Sequence, residues 1–188
     1  MVNEKQIEEG IVNFLEFIGE DPGRVGIKGT PGRMVRMCRD IFRGYNESLR
    51  PDITVFPNEE RYKGMIIDVG YFFSFCEHHI IPFWGDYFYG YIPNQLIVGA
   101  SKIARIIDFY SAKIQLQERL CIEVVSCLEE KIKPLGSILI MRGRHLCKEM
   151  RGVRKYNSPF ETIEVRGYFD ENKDGCKDEF IARIGSRM

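Results

Sequence analysis

Two runs of branched and aromatic residues, 65–75 and 83–92, stand only seven residues apart, and no other feature constrains the chain as much. Such composition suits extended strands. Tyr87, Tyr89 and Tyr91 alternate along one face of the second run, and both faces of both runs are largely apolar. Each strand therefore needs cover.

Helical patterns supply some of it. Ile7, Ile11, Phe14, Leu15 and Ile18 share one face of a helix that Gly19-Glu20-Asp21-Pro22 ends. Thr30-Pro31 opens a second helix with Thr30 as cap, and Met34, Met37, Cys38 and Ile41 carry its apolar face towards Gly44. The segment through Pro51 and Pro57 reads as loop. Ser101 caps a third helix with Ile103, Ile106, Ile107 and Tyr110 inward, while Lys102 and Arg105 share another face. A fourth, 117–131, buries Leu120, Val124 and Leu128, with Cys121 and Cys127 as small core residues. A third strand starts at Ile138 and runs on to His145 and Cys147, a fourth spans 160–169, and a short helix covers 179–184.

The order is strand, strand, helix, helix, strand, strand after two helices, an α+β arrangement with a helical region over 1–50 and a sheet-bearing domain over 51–188. Helices on one face leave the other face and both edges open, which predicts a closed homo-oligomer.

A chain of 188 residues with 44% hydrophobic content can build a core. Lys plus Arg equal Asp plus Glu at 27 each, which excludes an overall basic field for nucleic acid or an anionic membrane. No apolar run approaches the roughly 20 residues of a membrane span, and the first residues lack a signal-peptide core. A cytoplasmic protein is expected, with its six cysteines as free thiols or metal ligands.

The hairpin connection carries Cys76-Glu77-His78-His79, and all three histidines of the chain fall there or at His145. Cys76 and His79 offer half a zinc site; Cys147, two residues after His145, is the leading third ligand. Three protein ligands leave a position for water, which zinc activates. The other reading is an unremarkable thiol, a buried Cys147 and loop-capping imidazoles. With His79 on a metal, His78 or His145 is free as general acid or base, or as a hydrogen-bonding partner that orients a ligand. Glu77 has no assigned role. Glu118, beside Gln117 at a helix start, either fixes an amidine edge such as that of guanine or simply favours the helix dipole. Lys102, Arg105, Arg151 and Arg33 together suit a phosphate cluster, while a charge of this kind taken singly is more often a solvated surface group.

Taken together, Thr30-Pro31-Gly32-Arg33, Ser74-Phe75-Cys76-Glu77-His78-His79, Gly99-Ala100-Ser101-Lys102-Ile103-Ala104-Arg105, Gln115-Leu116-Gln117-Glu118-Arg119-Leu120 and His145-Leu146-Cys147-Lys148-Glu149-Met150-Arg151-Gly152 resemble GTP cyclohydrolase I across nearly the whole chain. That family opens the purine ring of GTP to give formate and dihydroneopterin triphosphate. The resemblance implies a tunnelling fold (ββααββ, an antiparallel four-stranded sheet with helices on one face) assembled as a decamer of two pentamers, with sites between subunits. It implies one zinc ion per subunit on Cys76, His79 and Cys147, and His78 as proton donor to the imidazole ring of the base. It implies Glu118, with Gln117 beside it, on guanine, and His145 and Ser101 near the ribose. Lys102, Arg105, Arg151 and Arg33, with Thr54 from a neighbour, would take the triphosphate. One segment departs from the family pattern: Ser158-Pro159-Phe160-Glu161-Thr162 stands where a Ser-x-Thr-x-Thr run is usual. The alternatives are a tunnelling-fold homologue acting on another purine or pterin, such as the related nitrile reductase, and a catalytically silent regulatory homologue.

Overall fold

Asn3 opens α1 (Glu4–Phe17) through a reciprocal capping box: its side chain accepts from the Gln6 N–H at 3.0 Å, and Gln6 Oε1 accepts from the Asn3 N–H at 2.9 Å. The next helix, α2 (Thr30–Ile41), is capped by Gly29 rather than Thr30. Thr30 is already helical, and its hydroxyl accepts from Arg33 Nη2 at 2.7 Å instead of capping the backbone. The two helices pack together, with Glu4 and Arg39 paired between them, in a unit that ends at Arg43. A second unit begins at Gly44. These elements come from a computed structural model that describes residues 2–185.

In the second unit the segment expected as loop contains a strand, β1 (Val55–Pro57). There follow β2 (Ile66–Cys76), β3 (Pro82–Ile92), β4 (Leu96–Val98), α3 (Ala100–Ser111), β5 (Ile114–Gln115) and α4 (Gln117–Ile132). The chain then runs through β6 (Gly136–His145), α5 (Leu146–Glu149), β7 (Phe160–Gly167) and α6 (Cys176–Ile184). β1 pairs with β4 in a small ribbon, and the main sheet has the order β5-β2-β3-β6-β7, antiparallel except at the short β5 edge. The four expected strands are all present. The three added ones are too short, at two or three residues, to show a periodic pattern.

Alternation along the strands assigns the two faces. Tyr87, Tyr89 and Tyr91 of β3, with Leu139 and Met141 of β6, join Ile103, Ile106 and Ile107 of α3 and Leu120, Val124 and Leu128 of α4 in one core; Cys121 and Cys127 are buried in it. Phe88, Ile138 and Ile140 face the other way and pack on Phe169, Phe180 and Ile184. The second face is therefore not wholly open as expected, because α6 folds back over part of it. Gly90 makes room: a Cβ there would stand 2.6 Å from the Phe180 ring. Beyond α6 the face stays uncovered, with Tyr71 70% and Phe73 69% exposed.

Register decides where chemistry collects. Phe75 lies opposite Pro82, Phe83 opposite His145, and Gly143 opposite Phe160. The end of β2, the start of β3, the end of β6 and the start of β7 thus share one rim, which β5 extends through its pairing with Cys76.

Candidate metal and substrate site

Cys76 ends β2 as a buried residue, and the turn after it is held by its own carbonyl, which accepts from the N–H groups of His79 (3.4 Å) and Ile80 (2.8 Å). Ile80 has φ of +52°, so the chain reverses sharply into β3. The neighbouring Glu77 N–H donates to Gln115 O at 3.1 Å, and Glu77 Oε2 accepts from Arg119 Nη2 at 2.7 Å. Arg119 also donates to Gln115 Oε1 (2.8 Å) and Ile114 O (3.1 Å), so one guanidinium joins the turn to β5 and the start of α4. Glu77, without a role in the sequence reading, anchors the turn. Its partner is 42 positions away, beyond any local spacing rule.

Cys147 was expected on an extended strand with His145. Instead β6 ends at His145, and Cys147 sits in the four-residue helical turn α5. Arg144 holds that turn by donating Nε to Glu149 Oε1 (2.9 Å) and Nη2 to Glu149 Oε2 (2.6 Å), while its guanidinium lies over the Trp84 and Tyr156 rings. The turn still delivers its thiol. Among the described residues, ligand atoms of Cys76, His79 and Cys147 lie within 4.8 Å of one another.

Two sulfurs and an imidazole nitrogen are a donor set suited to a borderline-soft divalent cation. Burial, and then the adjacent Cys76, push the Cys147 thiol up from its ordinary range. A cation bound beside a thiol favours its thiolate form. These residues fit a metal ion. Arg151 Nη1 lies 2.7 Å from His79 Nε2, which puts that guanidinium beside the ligand group.

Beside the three ligands a cavity of about 260 Å³ is lined by Cys76, His78, Gln117, Glu118, His145 and Phe160, among others. His78 Nδ1 is 3.5 Å from Cys76 Sγ. Glu118 stands in the first turn of α4. His145 stacks on Phe83 (4.4 Å between centroids, 7° between planes) and meets Phe160 edge-on at 5.8 Å. Burial lowers its pKa, against the Glu118 charge that raises it. Gln117 is buried: its Oε1 is 3.0 Å from His145 Nε2, and its amide nitrogen reaches Met141 O, Phe160 O and Thr162 Oγ1.

Residues 7–185 match the family described as GTP cyclohydrolase I. The chain belongs to that family. It is 38% identical to GTP cyclohydrolase 1 of Porphyromonas gingivalis over 184 residues, covering 97% of this chain and 94% of that one. GTP cyclohydrolase 1 of Streptococcus mutans is 38% identical over 98% of this chain and 96% of its own. That of Caldanaerobacter subterraneus is 37% identical over the whole of both.

Other residues suggested by the GTP cyclohydrolase I resemblance lie elsewhere in the chain. Ser101, Lys102 and Arg105 start α3, whose cap is Gly99 and not Ser101. Thr54 is beside them, its carbonyl accepting from the Gly99 N–H at 3.0 Å. The other end of α3 leads to β5 at the rim, and twelve residues at 1.5 Å each put the two ends roughly 18 Å apart. Within one chain this group does not line the cavity at His145. Arg33 belongs to the N-terminal unit, where it donates to Gly26 O and Thr30 Oγ1. Sequence reasoning missed Arg119, Phe83 and Arg144 as supports. It flagged Phe160 only as a departure, whereas the ring lines the cavity.

Proposed function

We propose that this protein hydrolyses GTP to formate and 7,8-dihydroneopterin triphosphate, using zinc on Cys76, His79 and Cys147. The observation that carries the reading is the convergence of those three ligand atoms within 4.8 Å at the mouth of a cavity that Glu118, His78 and His145 also line, in a member of the GTP cyclohydrolase I family. Zinc bound there supplies Lewis acidity that makes water nucleophilic near neutral pH.

The chain's own groups then have distinct tasks. Glu118 accepts hydrogen bonds from the amidine edge of guanine, which seats carbon 8 towards the Cys76–His79 turn. His78 holds a proton for nitrogen 7 as the imidazole ring opens. His145 and Ser101 attend the ribose during its rearrangement, and Lys102, Arg105, Arg151, Arg33 and Thr54 receive the triphosphate. Phe83 and Phe160 exclude water around His145.

The distance between the cavity and the Thr54, Ser101, Lys102 and Arg105 group supports a site shared between two copies. A ring of subunits would lay the α3 start of one beside the rim of the next, and a decamer of two pentamers satisfies this with closed symmetry. The exposed Tyr71 and Phe73 support further burial in an assembly. Among the described residues no helix is long and apolar enough to cross a membrane, and all six cysteines are free, in keeping with a reducing cytoplasm.

The test is purified protein with GTP, followed by pterin absorbance and formate release, with and without a chelator, and with metal analysis of the same sample. Chelator-sensitive release of formate is expected. A metal-loaded protein that leaves GTP intact overturns the reading.

A further inference from the structure

Gln117 is 1% exposed, and its amide has an unusual demand placed on it. Met141 O at 2.9 Å and Phe160 O at 3.0 Å both face its nitrogen, with Thr162 Oγ1 at 3.1 Å. Backbone carbonyls only accept, so exchanging the amide nitrogen and oxygen would set oxygen against oxygen twice. The orientation is therefore forced, and Oε1 is the atom that faces His145 Nε2 at 3.0 Å. A carbonyl oxygen cannot donate. His145 Nε2 must carry the hydrogen.

Two further features keep it there. The His145 ring is stacked on Phe83 and bounded edge-on by Phe160, which holds its plane, and turning it over within that plane would set a carbon rather than Nε2 against Gln117 Oε1. Gly143, two residues earlier on β6, provides the space for Gln117 Oε1: a Cβ at that position would stand 2.2 Å from the oxygen. The amide, the ring and the glycine are one fitted set.

We propose that Gln117 is a positioning residue that holds the His145 ring with the hydrogen kept on Nε2. This rests on the cavity being the GTP site. His145 lines the cavity together with Glu118, Lys148, His78 and the Cys76 and Cys147 thiols, its titratable neighbours there. Gln117 thus acts through His145 rather than on the base.

The chain has three histidines, so ¹⁵N-histidine labelling gives few signals. Solid-state NMR of sedimented, metal-loaded protein without nucleotide reads the tautomer, and the signal lost in His145→Gln identifies the ring. Wild-type protein is expected to show His145 protonated at Nε2. Gln117→Leu and Gly143→Ala should both yield a tautomer mixture and lower kcat about tenfold or more, with KM for GTP within about threefold. Protonated Nδ1 with bare Nε2 in the wild type, or an unchanged tautomer in the variants that fold, overturns the proposal. If Gln117→Leu does not fold, Gly143→Ala and the wild-type spectrum still decide. Formate release by wild-type protein tests the site reading separately, because the spectrum needs no substrate.

Discussion

Glu77 and Arg119 are joined at 2.7 Å, and through this bond the turn carrying Cys76 and His79 is fixed to the first turn of α4, where Glu118 stands. Groups that orient ligands contribute to metal affinity without touching the metal. Glu77→Ala should therefore weaken zinc binding by about 10–100-fold while leaving the fold intact, since the pair is partly solvated. Competition against a chromophoric chelator measures the affinity, and a melting curve checks the fold. Unchanged affinity would show that the backbone bonds of Cys76 and Gln115 suffice.

Neighbouring histidines should behave in opposite ways. Cys147→Ala or His79→Ala removes one of three ligands and should abolish both zinc retention and ring opening. His78→Ala should retain zinc and lose turnover by about 10²–10⁴-fold, the usual contribution of a positioned proton donor. Metal content measured beside formate release separates the two classes. Loss of zinc from His78→Ala would move His78 into the ligand set.

How much of this was legible beforehand follows the range of the signals. Period-two and period-3.6 patterns marked the four long strands and the helices from 117 and near 101, because those patterns act within one element. The fold of α6 over Phe88 and Ile140 was not legible, since a nine-residue helix does not announce which surface it covers. Cys147 was named for a wrong geometric reason: the strand stops at His145, and a helical turn held by Arg144 and Glu149 brings the thiol round. Glu77 and Gln117 took their roles from partners remote in sequence, Arg119 and the β6–β7 carbonyls.

Asp68 gives a stability test away from the site. Its carboxylate accepts from Tyr87 Oη at 2.9 Å, yet burial outweighs that bond and raises its pKa above the ordinary 3.8. A folded-state pKa above the unfolded one means that the native state binds more protons, so this group's contribution to stability falls as pH rises through the window just above 3.8. Asp68→Asn keeps an acceptor for Tyr87 and removes the half-buried charge. The variant should melt higher than wild type at pH 7, with the difference shrinking towards pH 3. An equal or lower melting temperature at pH 7 would mean that the hydrogen bond to the charged form dominates.

The α3 group and the rim group can be tested as halves of a shared site. Lys102→Ala and His78→Ala proteins should each be nearly inactive, because every site then lacks either a phosphate-binding or a proton-donating group. If one site draws Lys102 and His78 from different copies, co-assembly of the two variants recreates complete sites. Random equal mixing restores both wild-type groups in about a quarter of them, so activity should recover to about a quarter of the wild-type level after subunits are dissociated and reassembled together. Mixing without dissociation should recover none. If both groups serve a site within the same copy, no mixture contains a complete site and activity stays at the level of the separate variants. The roughly 18 Å length of α3 between Ser101 and the rim argues for the first outcome.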